Sequence, residues 1–307
     1  MKILRLTVTL FIVGAFMLVP AVAGAQSKNK AAIEWYNKGC DEKDLNKKIE
    51  YYTKAISIDP DYAKAYNNRG NAYNNLKRYD EAISDFNKAI SIDPNYALAY
   101  YNRGNAYYDL KRYNDAIADY TKAISIDPNY ALAYYNRGNA YGYLKRYNDA
   151  IADYTKAISI DPKDAYAYAG RGWAYEKQKR YDEAIADHTK AISIDPNFAY
   201  AYNNRGWAYY HMKKYNKALE DVTIALRLKP NYAAALDSRS NIYRELGRYK
   251  EAMADINKAI SIKPDFWFFY YTRGLNYKAM GETAKARADF KKACDGGEED
   301  ACKELKK

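Results

Sequence analysis

The chain repeats itself with a period of 34 residues, and this period constrains its fold more than any other feature. One glycine recurs in register, at Gly70, Gly104, Gly138, Gly172, Gly206 and Gly274. Proline keeps the same step, at Pro60, Pro94, Pro128, Pro162, Pro196, Pro230 and Pro264. Because proline stops a helix, each repeat is punctuated once and has room for two helices. We therefore expect a tandem array of helix pairs.

Each repeat carries two stretches whose residues recur at helical spacing. In the repeat from 97 to 130 the first stretch places Gly104 and Tyr107 on one face, and the second places Ala116 and Tyr120 on another. Small residues let the two backbones approach, and tyrosine rings fill the gaps between them. Helices this short are not stable alone, so neighbouring repeats must bury each other's apolar faces.

One repeat shows the motif most completely. Its signature residues are Tyr66, Gly70, Tyr73, Ala82, Phe86, Ala89 and Pro94. This order of aromatic, glycine, alanine and proline positions resembles the tetratricopeptide repeat (TPR). The resemblance covers most of the chain after residue 25, and it implies an all-α fold, a right-handed α-solenoid of tandem helix-turn-helix repeats.

The repeats divide the chain into predicted regions. Seven complete repeats are expected over 63–294, with bounds 63–96, 97–130, 131–164, 165–198, 199–232, 233–266 and 267–294, followed by a capping helix at 295–307. Residues 26–62 are expected to form a linker and a degenerate first repeat. In that repeat Lys48 stands where the others have alanine, and the distance from Gly39 to Pro60 is three residues short. We expect it to be a frayed amino-terminal cap.

An arginine in the first helix and an aspartate sixteen residues later recur in every complete repeat. The pairs are Arg69 with Asp85, Arg103 with Asp119, Arg137 with Asp153, Arg171 with Asp187, Arg205 with Asp221, Arg239 with Asp255 and Arg273 with Asp289. We hypothesise that each pair bridges the two helices of its repeat, or adjacent repeats, as a partly buried bidentate contact. The alternative is that both side chains are solvated and unrelated.

The amino-terminal segment differs in composition from the rest. A basic start precedes an apolar run from Leu6 to Val22, and the small residues Ala23-Gly24-Ala25 come before Gln26. This order is typical of a secretory signal peptide, here over 1–25. We therefore expect an exported protein, periplasmic or secreted after cleavage. The alternative is an uncleaved membrane anchor.

Two cysteines near the end of the chain agree with export. Cys294 and Cys302 flank Gly296 and Gly297, where one helix is expected to end and another to begin. This ending resembles that of cysteine-bridged Sel1-like repeats, a related helical family. The resemblance implies a disulfide between the two cysteines in an oxidising compartment, and the alternative is two free thiols.

The chain is basic, with a net charge of +11, and much of this charge lies in the turns between paired helices. The turn residues, which we call the basic rim, are Lys77-Arg78, Lys111-Arg112, Lys145-Arg146, Lys179-Arg180, Lys213-Lys214 and Arg248. A stacked row of this kind could make a weak contact with an anionic envelope surface, a polymer or an acidic protein. The alternative is that these residues are ordinary solvated turn residues, offset by carboxylates such as Asp80 and Glu81 that follow them.

Residues that carry enzyme or metal chemistry are scarce in this sequence. Of the two histidines, His188 occupies the column of core aromatic residues and is expected to fill the core, while His211 is expected near the groove. Neither has a second His, Cys or carboxylate at a metal-ligand spacing, and no phosphate-binding glycine loop is seen. We therefore expect no metal, no cofactor and no enzyme activity. Nucleic acid is not an expected partner of an exported protein.

The resemblance also implies where a partner binds. In TPR proteins the first helices of successive repeats line the concave face, where extended peptides or partner helices lie. The predicted groove residues are Asn68, Asn71, Tyr101, Asn102, Asn105, Tyr108, Tyr135, Asn136, Asn139, Trp173, Tyr200, Asn204, Trp207, Tyr210, Phe268 and Tyr271. The earlier repeats offer a ladder of amides that can bond a peptide backbone, and the later repeats offer rings that can anchor side chains. The alternative is that the amides bond between repeats and the tyrosine hydroxyls are solvated.

These features favour an exported, non-catalytic scaffold or adaptor that binds protein or peptide segments in the groove. The alternative function is that of an envelope-associated structural protein that uses the basic rim on anionic polymer or membrane. Salt separates the two, because contacts of the rim should weaken with ionic strength and contacts of aromatic rings should not.

Overall fold

A computed structural model describes residues 18–306, and every regular element within this range is an α-helix. The helices are α1 (Leu18–Asp41), α2 (Leu45–Ile58), α3 (Ala63–Asn75), α4 (Tyr79–Ile92), α5 (Ala97–Asp109), α6 (Tyr113–Ile126), α7 (Ala131–Tyr143), α8 (Tyr147–Ile160), α9 (Ala165–Lys177), α10 (Tyr181–Ile194), α11 (Ala199–His211), α12 (Tyr215–Leu228), α13 (Ala233–Glu245), α14 (Tyr249–Ile262), α15 (Phe268–Ala279), α16 (Thr283–Asp295) and α17 (Glu299–Glu304). This arrangement confirms the all-α solenoid of helix pairs.

The chain divides into two compact halves, an amino-terminal half that ends at Ala140 and a carboxyl-terminal half that begins at Tyr141. In each half, the two helices of a pair pack on each other, and the second helix packs on the first helix of the next pair. Successive first helices, such as α3 with α5 or α11 with α13, also touch. Each pair therefore buries its apolar face only with the help of its neighbours, as in repeat proteins generally.

The recurrent glycine sets the distance between paired helices. A Cβ atom on Gly104 would lie 2.7 Å from the Tyr120 ring, and one on Gly172 would lie 2.8 Å from His188. Both distances are too short for a real contact, so the column accepts only glycine while the ring stays in place. The aromatic side chain of the second helix thus lies flat on the backbone of the first.

The arginine–aspartate hypothesis is confirmed for six repeats, in which Arg69, Arg103, Arg171, Arg205, Arg239 and Arg273 each form the expected bidentate pair. In the fifth repeat both nitrogen–oxygen distances from Arg205 to Asp221 are 2.8 Å. The remaining nitrogen of Arg205 donates to Thr189 of the preceding repeat at 3.0 Å. One guanidinium therefore joins its own pair to the pair before it, a contact we call the arginine staple.

The turn within each of the seven complete repeats adopts a left-handed backbone at one residue. In the second repeat Lys111 has φ 59°, and its neighbour Arg112 donates from its backbone nitrogen to Tyr107 O at 2.8 Å. This closes a Schellman-type helix end, in which the left-handed position usually belongs to glycine. Gly247 and Gly281 occupy it in the last two repeats, with φ 72° and 76°.

The first pair is better formed than the sequence suggests. Lys48, which replaces the usual alanine, donates from Nζ to Gly39 O at 3.1 Å and to Cys40 O at 3.2 Å, and so closes the end of α1. The Tyr52 ring packs on Gly39, and Asp44 caps α2 by accepting from Lys47 N at 2.9 Å. The lysine thus supplies hydrogen bonds at the end of this helix that an alanine could not, and the expected fraying stays a prediction.

Of the two features predicted at the chain ends, the structure describes the signal peptide only in part and the cysteine pair in full. Most of the predicted signal peptide, including residues 1–17, lies outside the described residues, and α1 runs past the predicted cleavage site after Ala25. At the other end, Cys294 and Cys302 form a disulfide that joins α16 to α17, with their Cα atoms 4.8 Å apart. Cys40 is a free, exposed thiol.

Candidate partner-binding surface

In the amino-terminal half, asparagine amides bond the first helices to one another. Asn102 donates to Asn67 Oδ1 at 2.9 Å, and Asn67 donates to Asn68 Oδ1 at 3.1 Å. Asn68 in turn donates to the Tyr36 hydroxyl at 3.0 Å. Helices α1, α3 and α5 are therefore joined by side-chain amides.

The same pattern continues from α5 to α7. Asn136 Nδ2 donates to the Tyr101 hydroxyl and to Asn105 Oδ1, both at 3.0 Å. Asn105 Oδ1 also accepts from the Tyr120 hydroxyl at 2.8 Å, so both of its lone pairs are used. We call Asn67, Asn68, Asn102, Asn105 and Asn136 the amide chain. Its hydrogen-bonding groups stabilise the contacts between repeats.

Two of the predicted groove residues are buried instead of lining an open surface. Asn102 and Asn204 are only 6% and 8% exposed. Asn204 accepts a hydrogen bond from Asn203 Nδ2 at 3.2 Å. The reason is that successive first helices touch, which covers this column. For Asn102 the alternative from the sequence, amides bonded between repeats, describes the structure.

The other predicted residues of this half remain partly exposed. Asn71, Tyr108, Tyr135 and Asn139 are half-buried on first helices α3, α5 and α7. The Tyr108 ring meets the Tyr113 ring edge-on, with centroids 5.5 Å apart. Of these four residues, only Tyr108 and Tyr135 carry rings.

In the carboxyl-terminal half, five rings gather at the end of α11. We call Tyr181, Trp207, Tyr210, His211 and Tyr215 the ring cluster. Trp207 lies nearly parallel to Tyr210 at 5.1 Å and edge-on to His211 at 4.8 Å. His211 stacks on Tyr181 at 5.2 Å with an angle of 7° between the planes, and Tyr210 lies 5.8 Å from Tyr215. Such stacking holds the rings in place while leaving part of their surface exposed.

Charged residues border the ring cluster. Arg244 Nη2 donates to the Tyr210 hydroxyl at 3.4 Å, and its Nη1 donates to Asn276 Oδ1 at 3.3 Å. Burial lowers the pKa of His211, and the charges of Lys179 and Lys177 lower it further. Above its lowered pKa His211 is neutral, so the fixed positive charge beside the cluster comes from Arg244 and the lysines.

Trp173 is held by a glycine that sequence reasoning missed. A Cβ atom on Gly142 would lie 2.6 Å from the indole, so the bare backbone of Gly142 makes room for the ring. The Tyr147 ring meets the indole edge-on at 5.9 Å, and Lys177 Nζ lies 5.7 Å from its centroid. Gly142 could have been noticed, since its column otherwise holds longer residues such as Tyr108 and Tyr210.

The remaining predicted rings lie in two smaller groups. Tyr200 is 39% exposed and lies 5.9 Å from Phe198. Phe268 and Tyr271 lie 5.8 Å apart at the start of α15, and Tyr271 also contacts Phe290. The ring cluster and Trp173 therefore offer the better-supported aromatic surface of this half.

His188 has a carboxylate partner that the sequence spacing did not reveal. Its Nε2 lies 2.8 Å from Glu176 Oε1, and the imidazole is fully buried. Burial raises the pKa of Glu176 against the effect of His188, which lowers it. Glu176 is the one carboxylate of its column, so the change from the repeat pattern was visible but its meaning was not. The expectation that His188 fills the core holds, now as half of a polar pair.

A second buried carboxyl lies on α13. Asp237 has one oxygen without a hydrogen-bond partner, while Asn241 Nδ2 donates to its backbone oxygen at 2.9 Å. Burial raises the pKa of Asp237 to about 7, although a hydrogen bond from Thr272 and the charge of Arg244 act in the opposite direction. A carboxyl of this kind is costly to ionise, which makes this region sensitive to pH.

Residues 18–306 contain neither a cluster of metal-ligating side chains nor a candidate membrane-spanning helix. Within that range no three His, Cys, Asp or Glu side chains come together as a metal site. None of the helices described there combines the length and apolar character needed to cross a bilayer.

Family models for the tetratricopeptide repeat match most of the chain. One matches residues 63–96, 131–164, 165–198 and 199–232, and a second TPR model matches 40–77, 104–144 and 241–281. Two further TPR models match 86–118 and 269–295. No curated protein matches the sequence significantly.

Several solved structures, two of them described as TPR proteins, are similar to this chain. YrrB, described as a TPR protein with an unusual peptide-binding site, is 26% identical with a TM-score of 0.53, over 62% of this chain and 98% of its own. MamA is 30% identical with a TM-score of 0.51, over 56% and 93%. A TPR protein from Parabacteroides merdae is 22% identical with a TM-score of 0.65, over 81% and 99%, and shows the fold alone.

Proposed function

We propose that this chain, which belongs to the tetratricopeptide repeat family, is a non-catalytic scaffold that binds peptide segments or partner helices through the carboxyl-terminal half. The observation that carries the proposal is the ring cluster together with Trp173, where several rings are stacked but only partly covered. Aromatic residues held in this way bury much apolar area on binding and lose little conformational freedom.

The hydrogen bonds of the amide chain are a second reason to place the proposed binding surface in the carboxyl-terminal half. A peptide on Asn102 or Asn105 would have to replace hydrogen bonds that already join the repeats. Exchanging a hydrogen bond between repeats for one of similar strength to a peptide adds little to the binding affinity. The unusual peptide-binding site named for YrrB, a similar protein, supports peptide recognition as the mode of binding.

The test selects a displayed library of random peptides against the full chain. We expect enriched peptides to lose at least about tenfold in affinity when Trp173 and Trp207 are both changed to Ala, which is typical for central aromatic anchors. The matched control is Trp35→Ala, because Trp35 lies on α1 between the ammonium groups of Lys38 and Lys54. Unchanged affinity in the double variant, or an equal loss in the control, would refute the proposed surface.

We also propose that the protein is exported and that cleavage leaves Gln26 as the first residue. The Ala-x-Ala site at residues 23–25 supports this, and the Cys294–Cys302 disulfide suits an oxidising compartment. Expression of the full chain followed by intact-mass measurement of the exported fraction tests it. A mass that retains residues 1–25, or a protein found only inside the cell, would contradict it.

A further inference from the structure

Among the ion pairs of residues 18–306, five lysines beside the ring cluster have no carboxylate partner. They are Lys177, Lys179, Lys213, Lys214 and Lys217, and all five are exposed and outside the ion pairs of the structure. Across 177–183 and 211–217 there are six Lys and Arg residues against two carboxylates. One of those carboxylates, Glu183, is already paired with Arg180 at 2.8 Å, which leaves Asp182 as the other carboxylate of these two stretches. Outside them, Glu245 Oε1 accepts from the Tyr210 hydroxyl at 3.4 Å, and Arg244 lies next to it.

The ring cluster holds these lysines near one another. Tyr181 is the first residue of α10 and follows Lys179 by two positions, while His211 is the last residue of α11 and precedes Lys213 by two. Because Tyr181 and His211 stack face to face at 5.2 Å, the two turns lie side by side. The resulting positive surface is continuous with the rings, since His211 also touches Trp207.

The backbone at two of these lysines is unfavourable for lysine. Lys179 and Lys213 have φ 61° and 59°, the left-handed region that favours glycine. The turn does not require a lysine, because Gly247 and Gly281 occupy the same position in later repeats. Lys77, Lys111 and Lys145 share this backbone, so it belongs to the repeat, and what distinguishes Lys179 and Lys213 is the ring cluster beside them.

We propose that the peptide segment held by the ring cluster is acidic, with carboxylates that contact these lysines beside an apolar side chain that contacts Trp207 and Tyr210. This inference rests on the proposed function and adds the chemistry of the partner. Lysine suits the task because its ammonium is a mobile point charge that can meet carboxylates in several geometries. A flat anionic membrane would also use the lysines, but four of the five rings are half-buried and so present little surface for insertion into lipid.

The experiment measures binding of two short labelled peptides to the full chain. One alternates glutamate with phenylalanine, and the other has glutamine in place of every glutamate. We expect the acidic peptide to bind at least about tenfold more tightly, and this advantage to decline as salt is raised. Lys179→Gly and Lys213→Gly should each weaken the acidic peptide by about threefold or more while leaving the glutamine peptide unchanged.

Glycine is chosen because it removes the charge and relieves the backbone at once. Both variants should unfold at the same temperature as the parent chain or higher, so a loss of affinity cannot come from unfolding. Lys111→Gly is the matched control, since Lys111 has φ 59° but lies in the amino-terminal half. It should behave the same in unfolding and leave both affinities unchanged.

The outcomes separate the two proposals. Equal binding of the two peptides, or no effect of the lysine variants, would overturn the acidic segment and leave the proposed surface standing. If neither peptide binds, the proposal of an acidic segment is overturned. The proposed binding surface is then tested by the library selection alone. Lysine-dependent binding to phosphatidylserine vesicles without preference for the acidic peptide would also overturn it, in favour of a lipid surface.

Discussion

The two halves of the chain use the same repeat for different purposes on their first helices. In the amino-terminal half, asparagine amides are hydrogen-bonded from α1 to α7 and join the repeats. In the carboxyl-terminal half, rings stack in a cluster at the end of α11, with unpaired lysines beside them. The lesson is that a polar column in a repeat protein can be internal structure, whereas we propose the partly exposed rings and the lysines beside them as the binding surface.

The largest expected effect concerns the arginine–aspartate pairs, which occur in both halves of the chain. Arg103→Ala should lower the free energy of unfolding by about 4 kcal/mol, because it leaves Asp119 buried without its partner. The control is Arg112→Ala in the same repeat, whose exposed pair with Asp115 should contribute less than about 1 kcal/mol. Urea titration followed by circular dichroism measures both. Equal losses would show that the arginine staple is no stronger than a surface pair.

The second prediction gives the carboxyl-terminal half a pH dependence of its own. The pKa of Asp237 is about 7 in the folded protein against an ordinary 3.8, so the folded state binds the proton more tightly. Its contribution to stability is therefore complete below pH 4 and is lost as the pH rises through 7. Asp237→Asn should raise the free energy of unfolding by about 3 kcal/mol at pH 8 and change it little at pH 4.

Thermal unfolding of the parent chain and of Asp237→Asn at the two pH values measures this difference. The control is Asp182→Asn, which removes an exposed carboxylate from the same half. It should give no comparable gain at pH 8. A gain for Asp237→Asn that is the same at both pH values would rule out titration of this carboxyl as the cause.

The third prediction tests the structural role of the amide chain. Asn102→Ala should lower the free energy of unfolding by about 2 kcal/mol, because Asn67 Oδ1 then loses its donor in a buried position. Asn71→Ala, on a half-buried residue of α3, should cost well under about 1 kcal/mol. Urea titration of the two variants compares them. If Asn71→Ala were the more costly change, the amide chain would not be what joins these repeats.

The smallest expected change in stability concerns the left-handed residue in the turn between the two helices of a repeat. Lys111→Gly should raise the free energy of unfolding by about 0.5–1 kcal/mol, after the larger backbone freedom of glycine in the unfolded chain is subtracted. The reverse change, Gly247→Lys, should lower it by a similar amount, because φ there is 72°. Differential scanning calorimetry resolves both shifts. Stabilisation by both changes, or by neither, would exclude backbone strain as the cause.

The sequence predicted the fold well because its signals are local and repeated. The period and the columns of Gly104 and Pro128 are enough to place helix pairs, and the arginine–aspartate spacing predicted the bidentate contact. The other contact of the arginine staple, the hydrogen bond from Arg205 to Thr189, was not predicted. It joins two repeats and depends on how closely they pack.

The candidate surface could be predicted only in part, for the same reason. Trp207 and Tyr210 were visible as rings on a first helix, but the stacking of Tyr181 on His211 joins residues of two repeats. Burial of Asn102 likewise follows from contact between α3 and α5, which no single repeat encodes. In a repeat protein, the spacing between neighbouring repeats determines which side chains of the first helices are exposed.

The most direct test of this account measures binding and unfolding together for one residue of each half. Trp207→Ala and Asn102→Ala are compared in their affinity for a library-selected peptide and in their urea midpoint. We expect Trp207→Ala to lose at least about fivefold in affinity with the smaller change in midpoint. Asn102→Ala should shift the midpoint and keep its affinity. Loss of affinity in Asn102→Ala, with Trp207→Ala still binding normally, would contradict the division of roles between the two halves.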